Sequence, residues 1–188
     1  SSSAPGELSG YSHGFEFDGA QDGRSFGRYI NSVGAEQFTL QVSRTPGAIN
    51  AGPWTGPAVI SEIHYHPKNP NDEFLELHNP NAEWVVLQND AGIPTNTWRV
   101  GGLNHQFDPA PAIPPFGYLL LVAENLDVFR ARWNVPANIE ILQYFGVLQD
   151  SGENLGLEAP DDPTTNGTVY YAVDTVRYND RAPWPLAA

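Results

Sequence analysis

Two neighbouring stretches decide the fold of this chain: VISEIHYHP at residues 59–67 and DEFLELHN at residues 72–79. Apolar and polar side chains alternate in both, a period of two that is typical of β-strands with one face on a hydrophobic core. In the second stretch Leu75 and Leu77 share a face, and Phe74 lies on the opposite face. The Asn- and Pro-rich residues between the stretches indicate a turn. Together these features predict an antiparallel β-hairpin.

The rest of the chain also has a sequence pattern typical of β-strands. Short runs rich in Val, Ile, Leu and Tyr alternate with Gly, Pro, Asn and Asp, a pattern typical of a β-sandwich or barrel. The predicted strands lie near residues 24–30, 36–43, 58–65, 73–78, 84–87, 97–101, 117–123, 139–145, 153–158 and 168–178. The apolar positions predict one antiparallel sandwich over residues 58–178 with a core that includes Ile63, Leu75, Leu77, Leu119, Leu121, Leu155, Leu157 and Val176.

One segment has the pattern of a short helix. Asn125 is a favourable N-cap, and Pro136 stops a helix. Between them Leu126, Phe129 and Trp133 follow at intervals of three and four residues, so they share one helical face. We therefore predict a helix near residues 125–134 that docks through these three side chains and leaves Arg130 and Arg132 in water.

The charge balance excludes one class of partner. Nine basic and 22 acidic residues give a net charge of −13, and no basic stripe reverses the field locally. Such a surface repels phosphates, and counterion release has little cationic surface to act on. We expect no nucleic-acid partner.

Residue types that the sequence lacks exclude further kinds of structure and chemistry. The absence of cysteine excludes a disulfide framework, Cys-ligated zinc and thiol catalysis. Apolar runs such as residues 118–123 are far too short to span a bilayer, so we expect no membrane insertion. No charged, apolar signal segment opens the sequence, and it contains no methionine. We expect it to be a processed or excised part of a larger protein.

Composition divides the chain into three parts. Residues 1–13 are predicted to be a flexible N-terminus, because the first eight are rich in Ser, Pro and Gly. Residues 14–56 hold two β-rich runs and the linker-like stretch RTPGAINAGPWTG at residues 44–56. Residues 57–188 hold the predicted sandwich.

The hairpin stretches closely resemble the opening of bacterial lamin-tail domains, in which Ser-Glu-Ile is followed by Glu-Phe-(Ile/Leu)-Glu-Leu-x-Asn. Further family-like motifs follow in the same order over about 130 residues: IPPFGYLLLV (113–122), FRARW (129–133), LQDSGENL (148–155), VDTVRY (173–178) and PWP (183–185). Phe116 and Asp150 depart from the pattern, which more often has Gly and Asn there.

The resemblance implies an all-β fold, an immunoglobulin-like antiparallel β-sandwich with one short helix. It implies a structural or protein-binding module of the kind found in nuclear lamins and in large exported or surface bacterial proteins, hence an extracellular or cell-surface location. No catalytic residue belongs to the family pattern, and the resemblance implies no cofactor. The expected partners are other proteins or neighbouring domains of the same chain.

Residues 14–50 resemble the end of a preceding copy of such a domain. The motifs are DGRSFGRY at residues 22–29 and TPGAIN at residues 45–50. The sequence therefore looks cut from a tandem array. An isolated hairpin is marginal in water, so we expect this segment to add a strand to a sandwich, within the chain or in a neighbouring copy, with Asn50 anchoring the crossover.

Histidines and carboxylates on the hairpin form the first candidate metal site. The zinc-type candidates are His64, His66, Glu76 and His78. Strict alternation puts Val59 on the core face with Ile63, and a simple hairpin places His64 opposite Glu76 and Glu62 opposite His78. Imidazoles with a carboxylate are a zinc or copper ligand set. The alternative is a pair of cross-strand acid–imidazole contacts on a solvated face.

Acidic loops form the second candidate metal site. The calcium-type candidates are Asp72, Glu73, Asp161 and Asp162, with Asn69, Asn71 and Glu158 nearby. Calcium takes six to eight oxygen ligands, and each loop supplies three or four. The alternative is that Asn and Asp are simply turn residues here.

Catalysis finds little support in the sequence. No serine lies in a Gly-x-Ser-x-Gly elbow, and no pair of carboxylates stands out. Trp84, Trp98 and Trp133 are predicted core residues, since their neighbours are apolar. Two functions remain: a non-enzymatic interaction module, or alternatively a calcium- or glycan-binding module that targets an attached enzyme.

Overall fold

The protein is described by a computed structural model that covers residues 14–15, 19–89, 93, 95–161 and 167–181. The chain divides into two compact units. The first comprises Ser1–Asp18 with Gly23–Trp54, and the second comprises Gly19–Asp22 with Thr55–Ala188. The predictions on residues 1–13, Asp162 and the PWP motif lie outside the described residues.

The first unit contains the antiparallel pair β1 (Phe26–Ile30) and β2 (Glu36–Leu40). The tight connection is held by Asn31, whose Oδ1 accepts from two backbone N–H groups of the turn. Asn50 anchors the following crossover as predicted, because its Nδ2 donates a 3.0 Å hydrogen bond to the Arg28 carbonyl. Among the described strands β1 and β2 pair only with each other, so strand addition within the chain is not observed; addition to another copy stays a prediction.

The described residues of the second unit form ten strands and one α-helix. The helix is α1 (Leu126–Trp133), and Pro70–Asp72 form a single 3-10 turn. The strands are β3 (Val59–His64), β4 (Phe74–His78), β5 (Val85–Val86), β6 (Arg99–Gly101), β7 (His105–Gln106), β8 (Ala112–Ile113), β9 (Tyr118–Val122), β10 (Glu140–Gln143), β11 (Asn154–Pro160) and β12 (Tyr170–Arg177). Every strand predicted from the sequence has a counterpart in one of the two units, and β7 and β8 are additional.

The strands form two four-stranded sheets, in the orders β10-β9-β4-β3 and β12-β11-β6-β7, with β5 and β8 as a separate pair. The all-β sandwich with one short helix is therefore confirmed. One strand pair differs from the antiparallel prediction, since β10 runs parallel to β9. A parallel neighbour needs a long crossover, and α1 supplies it between these two strands.

The core lies on the inner faces of the strands, as period-two alternation requires. Six of the eight predicted core residues are buried: Leu75, Leu77, Leu119, Leu121, Leu155 and Leu157. Ile63 and Val176 are only half-buried. The predicted register of the strands against the core is thus confirmed for β4, β9 and β11.

A β-bulge at Ser61 changes the register of the hairpin. Before the bulge Val59 lies opposite His78, and Ile60 points to the core. The predicted core-face position of Val59 is therefore wrong, because the extra residue reverses the alternation. The Ile60 N–H donates a 2.7 Å hydrogen bond to the Asp174 carboxylate of β12, which holds the bulge from outside the hairpin.

The predicted cross-strand pairs are also wrong. After the bulge Glu62 lies opposite Glu76, and His64 lies opposite Phe74. Each partner on β4 lies two residues nearer the connection than in the simple hairpin, and residues 65–73, which include the 3-10 turn, form that connection. A shift of two residues keeps each side chain on its face but changes its neighbour.

The helix forms where the sequence predicts it. Asn125 caps it, since its Oδ1 accepts from the backbone N–H groups of the first turn. Asn134 ends it in the left-handed conformation. Phe129 is buried in a second apolar cluster, on the outer face of β9 and β10: Leu120, Val122, Phe129 and Ile141, with Phe74, Leu126, Val135 and Ile139 at its margin.

Two predictions about the helix need correction. Trp133 is 45% exposed, because the helix ends at this residue and carries it past the edge of the cluster. Arg130 is only half-exposed, whereas Arg132 is exposed as predicted, although it forms ion pairs. Arg130 donates to the carbonyl groups of Val135, Pro136 and Ile139, and Arg132 pairs with two carboxylates.

Of the two other tryptophans that were predicted as core residues, one is buried and one is exposed. Trp98 is buried as predicted, and its Nε1 donates to the Asn89 side chain. Trp84 is 63% exposed, so its prediction as a core residue is wrong. The next residue, Val85, points to the core, and alternation therefore turns Trp84 outward.

Candidate functional site

The zinc-type candidates lie at separate places on the outer face of the first sheet. His64 donates from Nδ1 to the Asp72 carbonyl (2.9 Å), and His78 donates from Nδ1 to the Gly117 carbonyl (3.0 Å), since a carbonyl oxygen only accepts. His66 is exposed beside the Tyr65 ring. Glu76 accepts a 2.7 Å hydrogen bond from the Ser61 hydroxyl. Both bonded histidines therefore act within the sheet framework.

The calcium-type candidates have other partners. Arg132 forms an ion pair with Asp72, and Glu73 is buried. Asp161 donates its backbone N–H to the Val169 carbonyl. Asn69 accepts from the Asn71 N–H and caps the 3-10 turn, which is the turn role considered as the alternative.

No group of three or more His, Asp or Glu side chains that could hold a metal ion occurs within the residues that the structure describes. Glu158, expected in the second acidic loop, lies in β11 instead and forms a 2.5 Å ion pair with Arg99. As far as the described candidates go, the structure therefore brings neither ligand set together.

An open groove lies beside α1, on the outer face of β3, β4 and β9. We call it the α1 groove, and its volume is about 110 Å³. Its apolar wall consists of Phe74, Leu120, Phe129, Trp133 and Val135. The sequence analysis names three of these residues, Phe74, Phe129 and Trp133, but it predicts Trp133 as a core residue rather than as part of a binding surface.

The three aromatic rings of the α1 groove, from Phe74, Phe129 and Trp133, pack against one another. The ring centroids of Phe74 and Phe129 are 5.9 Å apart, and each lies 6.0 Å from the Trp133 ring. Two of these three contacts are edge-to-face, the arrangement that aromatic quadrupoles favour. Trp133, held by buried Phe129 and half-buried Phe74, therefore presents a positioned aromatic surface to solvent.

Two carboxylates complete the α1 groove. Glu62 on β3 and Glu76 on β4 both line it, and they lie directly opposite each other in the ladder. Opposed residues on antiparallel strands have Cβ atoms about 4.5–5.5 Å apart, so these two charges repel. Within the described residues no ion pair involves either side chain, and Ser61 is the one side-chain donor to Glu76.

The arginines of α1 do not neutralise this pair. Arg130 is held by backbone carbonyl groups at the end of the helix. Arg132 binds Asp72 and Glu124. Both cations nearest in sequence to Trp133 are thus occupied away from the groove.

A second carboxylate network is buried rather than open. The Glu73 carboxylate accepts hydrogen bonds from the Tyr144 hydroxyl (3.0 Å) and the Leu148 N–H (3.2 Å). Burial raises the pKa of Glu73 above its usual value, and these two hydrogen bonds oppose the shift. Burial also raises the pKa of Tyr144, with Glu73 adding to the effect, so the hydroxyl stays a donor. This network holds buried groups together and stabilises the fold.

A scan against protein-family models returns no match for this chain, and a search of curated proteins returns none either. In the described part of the chain no helix is long and apolar enough to cross a membrane.

Proposed function

We propose that this chain is a non-enzymatic interaction module, and that the α1 groove is its binding site. The observation that carries the proposal is the combination of the half-exposed Trp133 ring with two opposed, unneutralised carboxylates around an open cavity. Exposed aromatic side chains next to positioned charges are typical of recognition surfaces.

The chemistry of the α1 groove favours binding over catalysis. Ser61 is its nearest nucleophile, and it donates to Glu76 rather than to an imidazole. His64 lies on the same face, but its Nδ1 is engaged by the Asp72 carbonyl. Activation of a serine needs a base within hydrogen-bonding reach of the hydroxyl, and that base must itself be oriented by a third group. Glu76 lies within reach, but among the described residues its one side-chain donor is Ser61 itself, so the orienting group is lacking. This arrangement supplies carboxylate acceptors and a ring surface instead.

The resemblance of residues 59–79 to lamin-tail domains supports a place for this module in a larger multidomain, exported bacterial protein. It also supports an immunoglobulin-like relationship of the sandwich. On this proposal the partners are proteins, or neighbouring domains and copies of the same chain joined by strand addition. A thermal unfolding series of single and tandem copies would detect such addition as a gain in Tm with copy number.

Glycan binding is the second candidate, and the exposure of Trp133 favours it. A half-exposed indole beside carboxylates can stack on a sugar ring while the carboxylates accept from its hydroxyl groups. Calcium binding is less well supported, because Asp72 already pairs with Arg132 and Glu73 is buried.

The test is a thermal-shift panel on the full chain with basic peptides, oligosaccharides and calcium chloride. A ligand that binds only the folded state raises Tm. We expect at least one ligand to raise the Tm of the natural sequence and to lose most of that effect in Trp133→Ala, while Trp84→Ala, a matched change of another exposed indole, retains it. Turnover of a substrate at the α1 groove would contradict the proposal.

A further inference from the structure

We propose that the α1 groove binds the cationic side chain of a lysine or arginine, presented by a basic segment of a partner protein. This inference rests on the proposed function and names the ligand of its site.

The first argument is the charge of the groove. Glu62 and Glu76 are directly opposite one another, and like charges in that position destabilise an antiparallel pair. The described residues offer no cation to this pair, as both arginines of α1 are occupied elsewhere. A positive group seated between the two carboxylates would turn this repulsion into two attractions.

The second argument is hydrogen-bonding complementarity. Ionised carboxylates only accept hydrogen bonds, whereas an ammonium or guanidinium group only donates them. The charged lining of the groove consists of the Glu62 and Glu76 side chains, and the one side-chain donor among its lining residues is the Trp133 Nε1–H. A sugar hydroxyl both donates and accepts, so it would find several acceptor atoms here but only this one donor for its own oxygen. The polar part of the groove therefore fits a cation better than it fits a sugar.

The third argument is the apolar wall. Trp133, Phe74 and Phe129 offer aromatic surface, and cations are attracted to the faces of such rings, most strongly to tryptophan. Leu120 and Val135 offer aliphatic surface for the methylene groups of a lysine or arginine stem. A volume of about 110 Å³ holds roughly four groups the size of a water molecule, which suits the outer part of one such side chain.

The fourth argument is the charge of the whole chain. A net charge of −13 attracts basic segments over distances longer than a contact and repels acidic ones. The long-range field and the local site therefore select the same sign of partner.

The test is isothermal titration calorimetry of the full chain with a short peptide of repeating Lys-Ser-Gly units. The control ligand is the same peptide with every lysine acetylated, which removes the charge but keeps the stem. We expect the charged peptide to bind about tenfold tighter than the acetylated one, with an affinity that falls as salt is added. Equal binding of the two peptides, or no binding of the charged one, would overturn the inference.

Variants locate the binding. We expect the double variant Glu62→Gln and Glu76→Gln to weaken peptide binding about tenfold, as loss of close charge pairs does. Its Tm without peptide should not fall, because the change removes a repulsion. The matched control, Glu83→Gln with Glu140→Gln, changes the net charge equally at exposed positions outside the groove. Equal weakening in both variants would mean diffuse charge attraction and would overturn the site.

A final arm separates this inference from the proposed function. One possible outcome is that the lysine peptide does not bind at all, whereas a glucose oligosaccharide binds the natural sequence but not Trp133→Ala. That outcome would overturn the cationic ligand and leave the proposal of an interaction module in place. Turnover of a ligand at the groove would instead contradict the proposed function.

Discussion

The Tyr144 hydroxyl donates a 3.0 Å hydrogen bond to the Glu73 carboxylate, and both residues are buried. Glu73 immediately precedes β4, and Tyr144 immediately follows β10, so the bond ties the ends of two strands that are not neighbours in the sheet. The same carboxylate oxygen accepts from the Leu148 N–H. A buried carboxylate with two donors is therefore part of the framework that holds the strands of the first sheet in place.

Tyr144→Phe should destabilise the protein by about 1.5–3 kcal/mol, the range for hydrogen bonds to charged groups, because the variant leaves Glu73 with one donor fewer. The measurement is the urea midpoint at neutral pH. Tyr118→Phe, at a partly exposed position on β9, is the control and should change stability by less than about 0.5 kcal/mol. Equal midpoints for the two variants would contradict a structural role for the Tyr144–Glu73 bond.

Glu73→Gln should change the pH dependence of stability. Burial raises the pKa of Glu73 above its usual value of 4.5, so between these two values the folded state binds more protons than the unfolded state. The contribution of Glu73 is therefore fully present below pH 4.5 and is lost as the pH rises through the raised pKa. Glutamine has no such titration, and its side-chain oxygen can still accept from Tyr144 and Leu148.

The measurement is the difference in free energy of unfolding between Glu73→Gln and the natural sequence at several pH values from acid to neutral. We expect this difference to shift in favour of Glu73→Gln as the pH rises. Exposed Glu83→Gln serves as the control for the charge change itself. A difference that stays constant, or shifts the other way, would mean that burial does not dominate at Glu73.

Local patterns sufficed for the strands and for the helix. Alternation identified Leu75 and Leu77 as core residues, and the Asn125 cap marked the start of α1 within one residue. Both signals depend only on near neighbours in the sequence. The bulge at Ser61 involves a distant residue instead. The Ile60 N–H beside the bulge donates a hydrogen bond to Asp174, more than 100 residues further along the chain.

The candidate site was harder to predict for the same reason. Glu62 and Glu76 face each other only because the hairpin register shifts by two residues. Trp133 has the spacing of a core residue, but its place at the last turn of α1 exposes it. The parallel position of β10 also depends on how α1 crosses the sheet, which no local pattern specifies. The α1 groove combines the first two of these features, so the sequence pointed to metals instead.

Asn79→Ala should cost about 3 kcal/mol or more, because the buried Asn79 side chain joins two loops and its loss leaves buried carbonyl groups without a donor. Its Nδ2 lies within hydrogen-bonding distance of the carbonyl oxygens of Glu83 (2.7 Å), Ile113 (3.2 Å) and Pro114 (3.0 Å). Thermal unfolding measures the effect, with exposed Asn138→Ala as the control. A similar small loss in both variants would contradict this role.

Trp133→Ala should cost clearly less than the 3–5 kcal/mol typical of a fully buried aromatic residue, because nearly half of its surface is already in water. We expect about 1–2 kcal/mol, from the contacts that it makes with Phe74 and Phe129. Phe129→Ala, in which a side chain only 1% exposed is removed, should cost the full 3–5 kcal/mol. Urea unfolding of both variants checks the order, and a larger loss for Trp133→Ala would contradict the exposed position of its ring.

Phe116→Gly should stabilise the protein, although it removes a large apolar side chain. Phe116 has a φ of 53°, a left-handed conformation that costs an L-residue roughly 1–2 kcal/mol and costs glycine almost nothing. Its ring is 63% exposed, so little burial is lost with it. Greater freedom of glycine in the unfolded chain offsets part of the gain, and we expect a net increase of about 0.5–1 kcal/mol. Asn104→Gly is the matched control, since Asn104 has a φ of 51° but asparagine tolerates that region, and its effect should be smaller. Thermal unfolding of both variants decides the point: a fall in Tm for Phe116→Gly would mean that the exposed ring makes contacts worth more than the strain that its backbone carries.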